Sequence, residues 1–216
     1  IPSTVQEIKE FVFDECIYLT KVIFEKDSQL KKIGRSAFEN CKSLKEITIP
    51  SSVTYIADFA FRHCSSLMKI TIPESVKAIF HGTFQFCSSL VEITIPSSLQ
   101  FNGCYNFECC LSLKEITIPS SFAKIPSYTF KKCSSLNKVT IPSSVKEIGG
   151  YAFSECTSLT EITIPSSMTK IEEYAFRNCF KLAKINLPSS IESIGSGAFS
   201  SCSSIVEVVI PSSLRY

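Results

Sequence analysis

Apolar residues along this chain recur with a fixed period of 23 residues. The dipeptide Ile-Pro marks the period at 49–50, 72–73, 95–96, 118–119, 141–142, 164–165 and 210–211, and Leu-Pro takes its place at 187–188. Ile1-Pro2 and Phe24-Glu25 extend the series backwards, with a single step of 25 residues between Phe24 and Ile49. Self-similarity at such a period indicates a repeat architecture, in which each unit packs only on its neighbours.

Phenylalanine and cysteine keep the same period. The phenylalanines of this column are Phe13, Phe38, Phe61, Phe84, Phe107, Phe130, Phe153, Phe176 and Phe199. A cysteine follows each of them three residues later, giving Cys16, Cys41, Cys64, Cys87, Cys110, Cys133, Cys156, Cys179 and Cys202. A buried Cys packs as a small hydrophobe, so we expect a stacked Phe column beside a ladder of free structural thiols.

The alternation of apolar and polar residues predicts one short β-strand in each repeat. In segment 159–164, Ile162 and Ile164 point inward and the residues between them point outward, by the period of two that strands follow. Pro165 cannot donate to a strand ladder and therefore ends the strand. Segment 151–156 predicts a single helical or 3-10 turn with a buried apolar face.

The repeat consensus resembles that of one family. The phrase I-P-S-S-V-x-x-I-G-x-x-A-F-x-x-C-x-S-L-x-x-I-x-I-P is similar to the BspA-type leucine-rich repeat over essentially the whole chain. The resemblance implies a right-handed leucine-rich-repeat solenoid with one parallel β-sheet face and an opposite side of short helical or 3-10 turns and loops. Family members are surface proteins of mucosal bacteria and of parasitic protists such as trichomonads. Known or proposed members act as adhesins or bind host proteins, which implies a cell-surface or secreted location.

The pattern divides the chain, 1–216, into nine coils of a single domain. The coils are 1–23, 24–48, 49–71, 72–94, 95–117, 118–140, 141–163, 164–186 and 187–209, with a partial coil at 210–216. Both ends fall inside the repeat pattern, and the chain opens without an initiator Met or the features of a signal peptide. We therefore interpret it as part of a longer protein.

Composition and motifs narrow the functional classes. The net charge is +2, and scattered Lys and Arg residues argue against a nucleic-acid groove or a polybasic membrane patch. No apolar run approaches the roughly 18 residues of a membrane-spanning segment. A chain with this charge and composition is suited to bind protein or glycoprotein surfaces. Host and matrix components are among the candidate partners.

No recognisable catalytic motif is present in the sequence. It contains no G-x-S-x-G, P-loop, G-x-G-x-x-G or H-E-x-x-H. His63 and His81 lie in different columns without a recurring carboxylate, and we expect both to face solvent. We predict no enzymatic activity, metal or cofactor.

The alternative to a surface adhesin is an intracellular scaffold, because core thiols are compatible with either compartment.

Two columns are candidate contact surfaces. The outward strand column is Lys21, Glu46, Lys69, Glu92, Glu115, Lys138, Glu161, Lys184 and Glu207. Its mostly alternating charges favour a role in strand register rather than in binding. The column before the Ala-Phe pair carries four tyrosines on consecutive coils, named here the tyrosine stripe: Tyr105, Tyr128, Tyr151 and Tyr174. Tyrosine offers a large contact area with a polar tip, so the stripe is the predicted partner-binding site. The alternative is a half-buried ladder that only caps the turns.

The fifth coil departs from the repeat. Asn102 stands where an inward Ile is expected, Asn106 replaces Ala, and Cys104 and Cys109 fall outside the cysteine column. An inward Asn needs a hydrogen-bond partner or a water molecule, so we expect a local rearrangement. The two additional cysteines are compatible with a local disulfide, a reactive thiol or neutral drift in a tolerant repeat.

Overall fold

The computed structural model describes residues 1–215 and shows two sets of short strands stacked along one axis. The odd-numbered strands have two residues each: β1 (Glu7–Ile8), β3 (Lys32–Ile33), β5 (Tyr55–Ile56), β7 (Ala78–Ile79), β9 (Gln100–Phe101), β11 (Lys124–Ile125), β13 (Glu147–Ile148), β15 (Lys170–Ile171) and β17 (Ser193–Ile194). The even-numbered strands are longer except for the first: β2 (Lys21–Val22), β4 (Glu46–Thr48), β6 (Lys69–Thr71), β8 (Glu92–Thr94), β10 (Glu115–Thr117), β12 (Lys138–Thr140), β14 (Glu161–Thr163) and β16 (Lys184–Asn186).

Strands of the same set pair in parallel from coil to coil. Ile148 lies opposite Ile171 in the odd set, and Ile47 lies opposite Ile70 in the even set. Inward isoleucines thus alternate with outward polar residues, as the period of two requires. The predicted parallel-strand solenoid is confirmed, with the addition that each coil contributes two strands rather than one.

The solenoid has about eight turns rather than the nine predicted. Within residues 1–215, the last repeat, 187–209, forms the short strand β17 but no long strand. Its side chains Val206 and Val209 are 95% and 73% exposed. Each coil of a solenoid is held in place by its neighbours. Within the described residues, β16 is therefore the last strand of the long set.

The turn side contains no helix within residues 1–215, so the predicted helical or 3-10 turns are wrong. Tyr128 and Lys132 have φ angles of 62° and 63°, and left-handed residues at this spacing break any right-handed helical run. The Tyr128 N–H donates to the Gly150 carbonyl at 3.0 Å and the Lys132 N–H to the Ser154 carbonyl at 2.8 Å. These backbone donors therefore point along the solenoid axis into the next coil. The described chain also contains no helix long and apolar enough to cross a membrane.

A column of phenylalanine rings fills the core along the whole solenoid. The nine rings stack with centroids 5.1–5.7 Å apart and planes within 13° of parallel. The seven rings from Phe38 to Phe176 are fully buried, whereas the terminal Phe13 and Phe199 are partly buried. Offset stacking at this separation is favourable. Each interior ring therefore contacts a ring above and a ring below, and the column joins the coils to one another.

Both strand sets are interrupted at one junction. β8 does not pair with β10, and β9 does not pair with β11. On the turn side the column continues, since the Phe107 ring lies 5.7 Å from Phe84 and 5.5 Å from Phe130. The Phe107 N–H also donates to the Thr129 carbonyl at 2.8 Å. The coils therefore lose strand pairing at this junction while they stay in contact on their turn side. The Ser112 N–H still donates to the Ser88 carbonyl at 3.1 Å and the Ser121 hydroxyl to the Leu99 carbonyl, so the separation is confined to the strands themselves. β12 and β14 also lack ladder pairing, but they remain side by side.

Two large side chains account for the separation. Phe101 and Phe122 meet edge to face with centroids 4.4 Å apart, and both are buried. Other coils place smaller residues in these columns, such as Ile79 and Val145. Additional volume in a close-packed core is accommodated by backbone displacement. The coils have moved apart where these two rings were added.

We expect Phe130→Ala to lower the free energy of unfolding by about 3–5 kcal/mol, because it leaves a cavity between two stacked rings. The measurement is urea denaturation followed by circular dichroism. Phe199→Ala is the matched control, since that ring is only partly buried and has a stacked neighbour on one side. A loss below about 1 kcal/mol for Phe130→Ala, or an equal loss for both variants, would show that the column does not hold the coils together.

Candidate binding surface

The tyrosine stripe forms a stack of rings on the turn side. Tyr105 and Tyr128 lie 4.7 Å apart, Tyr128 and Tyr151 4.9 Å, and Tyr151 and Tyr174 5.0 Å, measured between ring centroids. All four side chains are half-buried. Because the stacked rings cover one another's faces, ring edges and hydroxyl groups are the parts that a partner can reach.

The backbone under the stripe is left-handed. The φ angles are 66° at Tyr105, 62° at Tyr128, 58° at Tyr151 and 53° at Tyr174. Bulky residues rarely adopt this conformation, which carries a cost of about 1–2 kcal/mol per residue. Ring stacking across coils offsets part of that cost, at about 0.5–1.5 kcal/mol for each aromatic pair. The stripe thus contributes to coil stacking as well as offering a surface.

Basic side chains lie beside the rings. The Lys131 ammonium is 5.4 Å from the Tyr128 centroid and 6.0 Å from that of Tyr151, and the Arg177 guanidinium is 5.6 Å from the Tyr174 centroid. Cations at such distances are attracted by the ring quadrupole. Burial raises the pKa of the Tyr151 phenol. This hydroxyl therefore stays protonated at physiological pH and can donate a hydrogen bond.

Glycine bounds the stripe at both ends. Gly82 and Gly197 occupy the same left-handed column, with φ angles of 56° and 62°. A Cβ at Gly197 would lie 2.4 Å from the Tyr174 ring, and a Cβ at Gly82 would lie 2.7 Å from the Phe59 ring. In both cases the ring of the preceding coil leans over the glycine. Tyr105 to Tyr174 is consequently one uninterrupted stack, and Phe59 lies outside it.

The outward strand column forms ion pairs in the register that the sequence predicts. Lys69 and Glu92 lie 2.8 Å apart, and Lys21 and Glu46 lie 3.5 Å apart. All four side chains are more than half exposed, so each pair contributes about 0.2–1 kcal/mol at most. Glu92 and Glu115 are the neighbouring pair with like charges, and they fall where β8 and β10 separate. The pair of like charges in the outward strand column is thus a sequence feature that marks the interruption. The 23-residue period by itself does not reveal it.

The cysteine column bonds each coil to the one before it. From Cys41 to Cys202, each thiol donates to the carbonyl of a phenylalanine in the preceding coil, with Sγ to O distances of 3.0–3.3 Å. Burial raises the pKa of the Cys87 thiol to about 12. A protonated thiol is the form that can donate, so burial and hydrogen bonding support each other. All eleven cysteines are free.

The fifth coil places its residues differently from the prediction. Asn102 is exposed, so the expectation of an inward Asn102 is wrong. Phe101 pairs with Ile79 instead and is 8% exposed. The strand β9 is displaced by one residue from the repeat pattern. A displacement of one residue exchanges the inward and outward faces of a strand. The slip buries an aromatic ring and leaves the amide in water.

Asn106, Cys104 and Cys109 belong to the same coil. Asn106 is buried, and its Nδ2 donates to the Gly103 carbonyl at 2.8 Å. Its Oδ1 has no hydrogen-bond partner, so the amide in the position of Ala is only half compensated. Cys104 and Cys109 are half-buried free thiols, so the structure contains no local disulfide between them. These two thiols are more accessible than the buried column thiols from Cys41 to Cys202, whereas Cys16 of the column is half-buried like them.

The two histidines have separate structural contacts. His63 is half-buried and stacks on Phe86 with centroids 4.4 Å apart, so its predicted solvent-facing position is wrong. Burial lowers the pKa of His63. His81 is exposed, and its Nδ1 accepts a hydrogen bond from the Cys104 N–H at 3.2 Å. Each histidine thus contacts the coil that follows its own.

Comparison with known proteins identifies the family. The family described as BspA type Leucine rich repeat region (6 copies) matches residues 1–104 and 123–216. The chain therefore belongs to the BspA-type leucine-rich repeat family. The unmatched segment, 105–122, follows the displaced strand β9 and ends at Phe122, so sequence divergence coincides with the interruption. No curated protein sequence matches the chain.

Solved structures of bacterial leucine-rich repeat proteins are similar to this solenoid. The T. pallidum leucine-rich repeat protein TpLRR is 27% identical, with a TM-score of 0.66 and 72% of each chain covered. A leucine-rich repeat protein from Eubacterium ventriosum is 26% identical, with a TM-score of 0.64 over 99% of this chain and 72% of that one. The pneumococcal vaccine antigen PcpA is 25% identical, with a TM-score of 0.65 over 99% of this chain and 62% of its own.

Thiol reactivity should separate the cysteine column from the two additional cysteines. In denaturant we expect all eleven thiols to react with Ellman's reagent, since all are free. In the native protein at pH 8, about three should react rapidly, namely the half-buried Cys16, Cys104 and Cys109. Burial keeps the column thiols protonated and inaccessible. The double variant Cys104→Ser/Cys109→Ser should remove two of the rapid equivalents, whereas rapid reaction of most thiols would contradict a buried ladder.

Proposed function

We propose that this chain is a non-catalytic protein-binding module displayed at a cell surface, where it contacts host or neighbouring-cell proteins and glycoproteins. The observation that carries the proposal is the stack of four half-buried tyrosines on consecutive coils. Membership of the BspA-type family supports a binding role. The name of PcpA as a vaccine antigen supports surface display for a related solenoid.

The stripe has the properties of a binding ridge. Its backbone is fixed by hydrogen bonds to the next coil, such as that from the Tyr151 N–H to the Glu173 carbonyl at 3.0 Å. Its rings are held by stacking and by Lys131 and Arg177, so little side-chain entropy is lost when a partner binds. Rigid tyrosines with free edges combine apolar contact with hydrogen bonding.

Removing the four rings should abolish most of the binding. The test variant is Tyr105→Ser/Tyr128→Ser/Tyr151→Ser/Tyr174→Ser. Serine is chosen because Ser36 already occupies this left-handed column in the first part of the chain. We expect binding to intact epithelial cells and to immobilised basement-membrane extract to fall at least about tenfold, since tyrosines that become buried in an interface are typical hot spots. Flow cytometry and biolayer interferometry measure the two effects, with circular dichroism to show that the variant is folded.

The matched control changes the second left-handed residue of each turn, which lies four residues after the stripe position. Lys132, Glu155 and Asn178 have φ angles of 63°, 64° and 61° and lie four residues after members of the stripe. The triple variant Lys132→Ser/Glu155→Ser/Asn178→Ser changes side chains on the same turns without removing a ring of the stripe. It should retain binding within about twofold. Unchanged binding by the tyrosine variant, or equal losses by both variants, would contradict the stripe as the contact site.

Surface display has a separate test. An antibody against this domain should label intact, unpermeabilised cells of the source organism, and protease added outside those cells should remove the label. Labelling that requires permeabilisation would favour the second candidate function, an intracellular scaffold. The eleven free thiols are compatible with that candidate, because a reducing compartment preserves free thiols.

A further inference from the structure

The separation of β8 from β10 leaves a cleft in the long-strand face of the solenoid. Its volume is about 830 Å³, and residues from Val91 to Ser97 and residues 114–120 line its two sides. Lys138, Thr140 and Pro142 of the following coil also line it, so the cleft extends over the outward face of β10. Binding pockets commonly have volumes of about 300–1,000 Å³. The cleft is therefore large enough for a short segment of polypeptide.

The floor of the cleft is apolar. Ile93 and Ile95 are only partly buried, whereas the corresponding Ile70 and Ile72 of the preceding coil are 1% and 2% exposed. Ile116 lies on the opposite wall and is itself buried, at 5% exposed. Elsewhere in the solenoid an inward Ile is covered by the inward Ile of the next strand. β8 and β10 do not pair, so Ile93 and Ile95 are left without that cover.

The walls of the cleft are two strand edges. β8 ends one sheet and β10 begins another, although both lie in the middle of the solenoid. Their ladder groups on the sides that face each other are not used by a neighbouring strand. Unpaired edges of this kind accept an additional strand through backbone hydrogen bonds. The cleft thus offers the geometry of strand addition on both sides.

Charge indicates which strand would fit. Outward residues alternate as Lys69, Glu92 before the cleft and Glu115, Lys138 after it. One cation between Glu92 and Glu115 would restore the alternation. The corresponding residue of the exposed C-terminal segment is Glu207, which would add a third carboxylate. This charge argues against occupation by the C-terminal segment of a second copy.

We propose that this cleft binds an extended segment of a partner protein as an inserted parallel strand. The segment carries Lys or Arg outward, between Glu92 and Glu115, and a β-branched apolar residue inward, between Ile93 and Ile116. The recognised chemistry is a basic, alternating β-strand of the form Lys-Val-Thr. The site is separate from the tyrosine stripe and does not depend on the function proposed for it.

A peptide with the sequence of residues 136–142, Leu-Asn-Lys-Val-Thr-Ile-Pro, supplies the probe. With blocked ends and a fluorescent label, it should bind the 216-residue chain saturably in fluorescence anisotropy at low salt. The same peptide with Glu in place of Lys should bind about tenfold more weakly, since it adds a third carboxylate where like charges repel. Hydrogen exchange should show protection of the Thr117 amide, which faces the cleft, when the Lys peptide is bound. The Ile118 amide already donates to the Thr140 carbonyl at 3.0 Å and should be unaffected.

Matched variants of the chain locate the site. Glu92→Gln/Glu115→Gln should weaken binding of the Lys peptide about fivefold, the size expected for two exposed charge pairs. Glu46→Gln/Glu161→Gln alters the same column where the strands are not separated by the cleft and should leave binding unchanged. The variant without stripe tyrosines should also bind the peptide normally, which separates this proposal from the preceding one. Absence of saturable binding, equal affinity for the Lys and Glu peptides, or equal effects of the two Gln pairs would overturn the proposal.

Discussion

Stacking of one coil on the next is the interaction on which this structure depends. No single repeat can bury its own apolar edge, so every coil uses its neighbours as the other half of its core. The phenylalanine column is the continuous part of that contact, and it persists even where the strands separate. The cysteine thiols add a hydrogen bond from nearly every coil to the one before it. Consequently, stability is distributed along the axis, and the terminal repeat is the least completely formed.

The need to stack each coil on the next also explains the backbone conformation of the turn side. Backbone donors there bond to the next coil rather than within their own, and two left-handed residues in each turn make that direction possible. A bulky residue in the left-handed conformation is costly on its own. It is tolerated where a stacked ring of the adjacent coil recovers energy, as in the tyrosine stripe, or where Gly and Ser reduce the cost. The exposed aromatic ridge is thus a consequence of how the coils are joined.

The fifth coil shows what happens when volume and charge conflict with stacking. Phe101 and Phe122 bring two rings into positions that elsewhere hold smaller side chains, and Glu92 faces Glu115 across the junction. The turn side keeps its stacked rings and its hydrogen bonds between coils, although the Phe84–Phe107 distance of 5.7 Å is the longest in the column. The strand side opens instead, since short strands with exposed charge pairs hold the coils together less strongly than buried rings. A local change in two columns therefore creates a second surface without interrupting the core.

By itself, the sequence determined the period, the Phe and Cys columns, the strand alternation and the absence of known catalytic motifs, because each recurs at a fixed spacing. Tertiary structure decided the remainder. Residues three or four apart share a face in a helix and in an open turn alike, so only the direction of the N–H groups distinguished them. Asn102 stood in the inward column, but packing favoured Phe101 and moved the strand by one residue. Whether neighbouring strands pair or separate depends on the combined volume of side chains from adjacent coils. The residues of one repeat column do not reveal that volume.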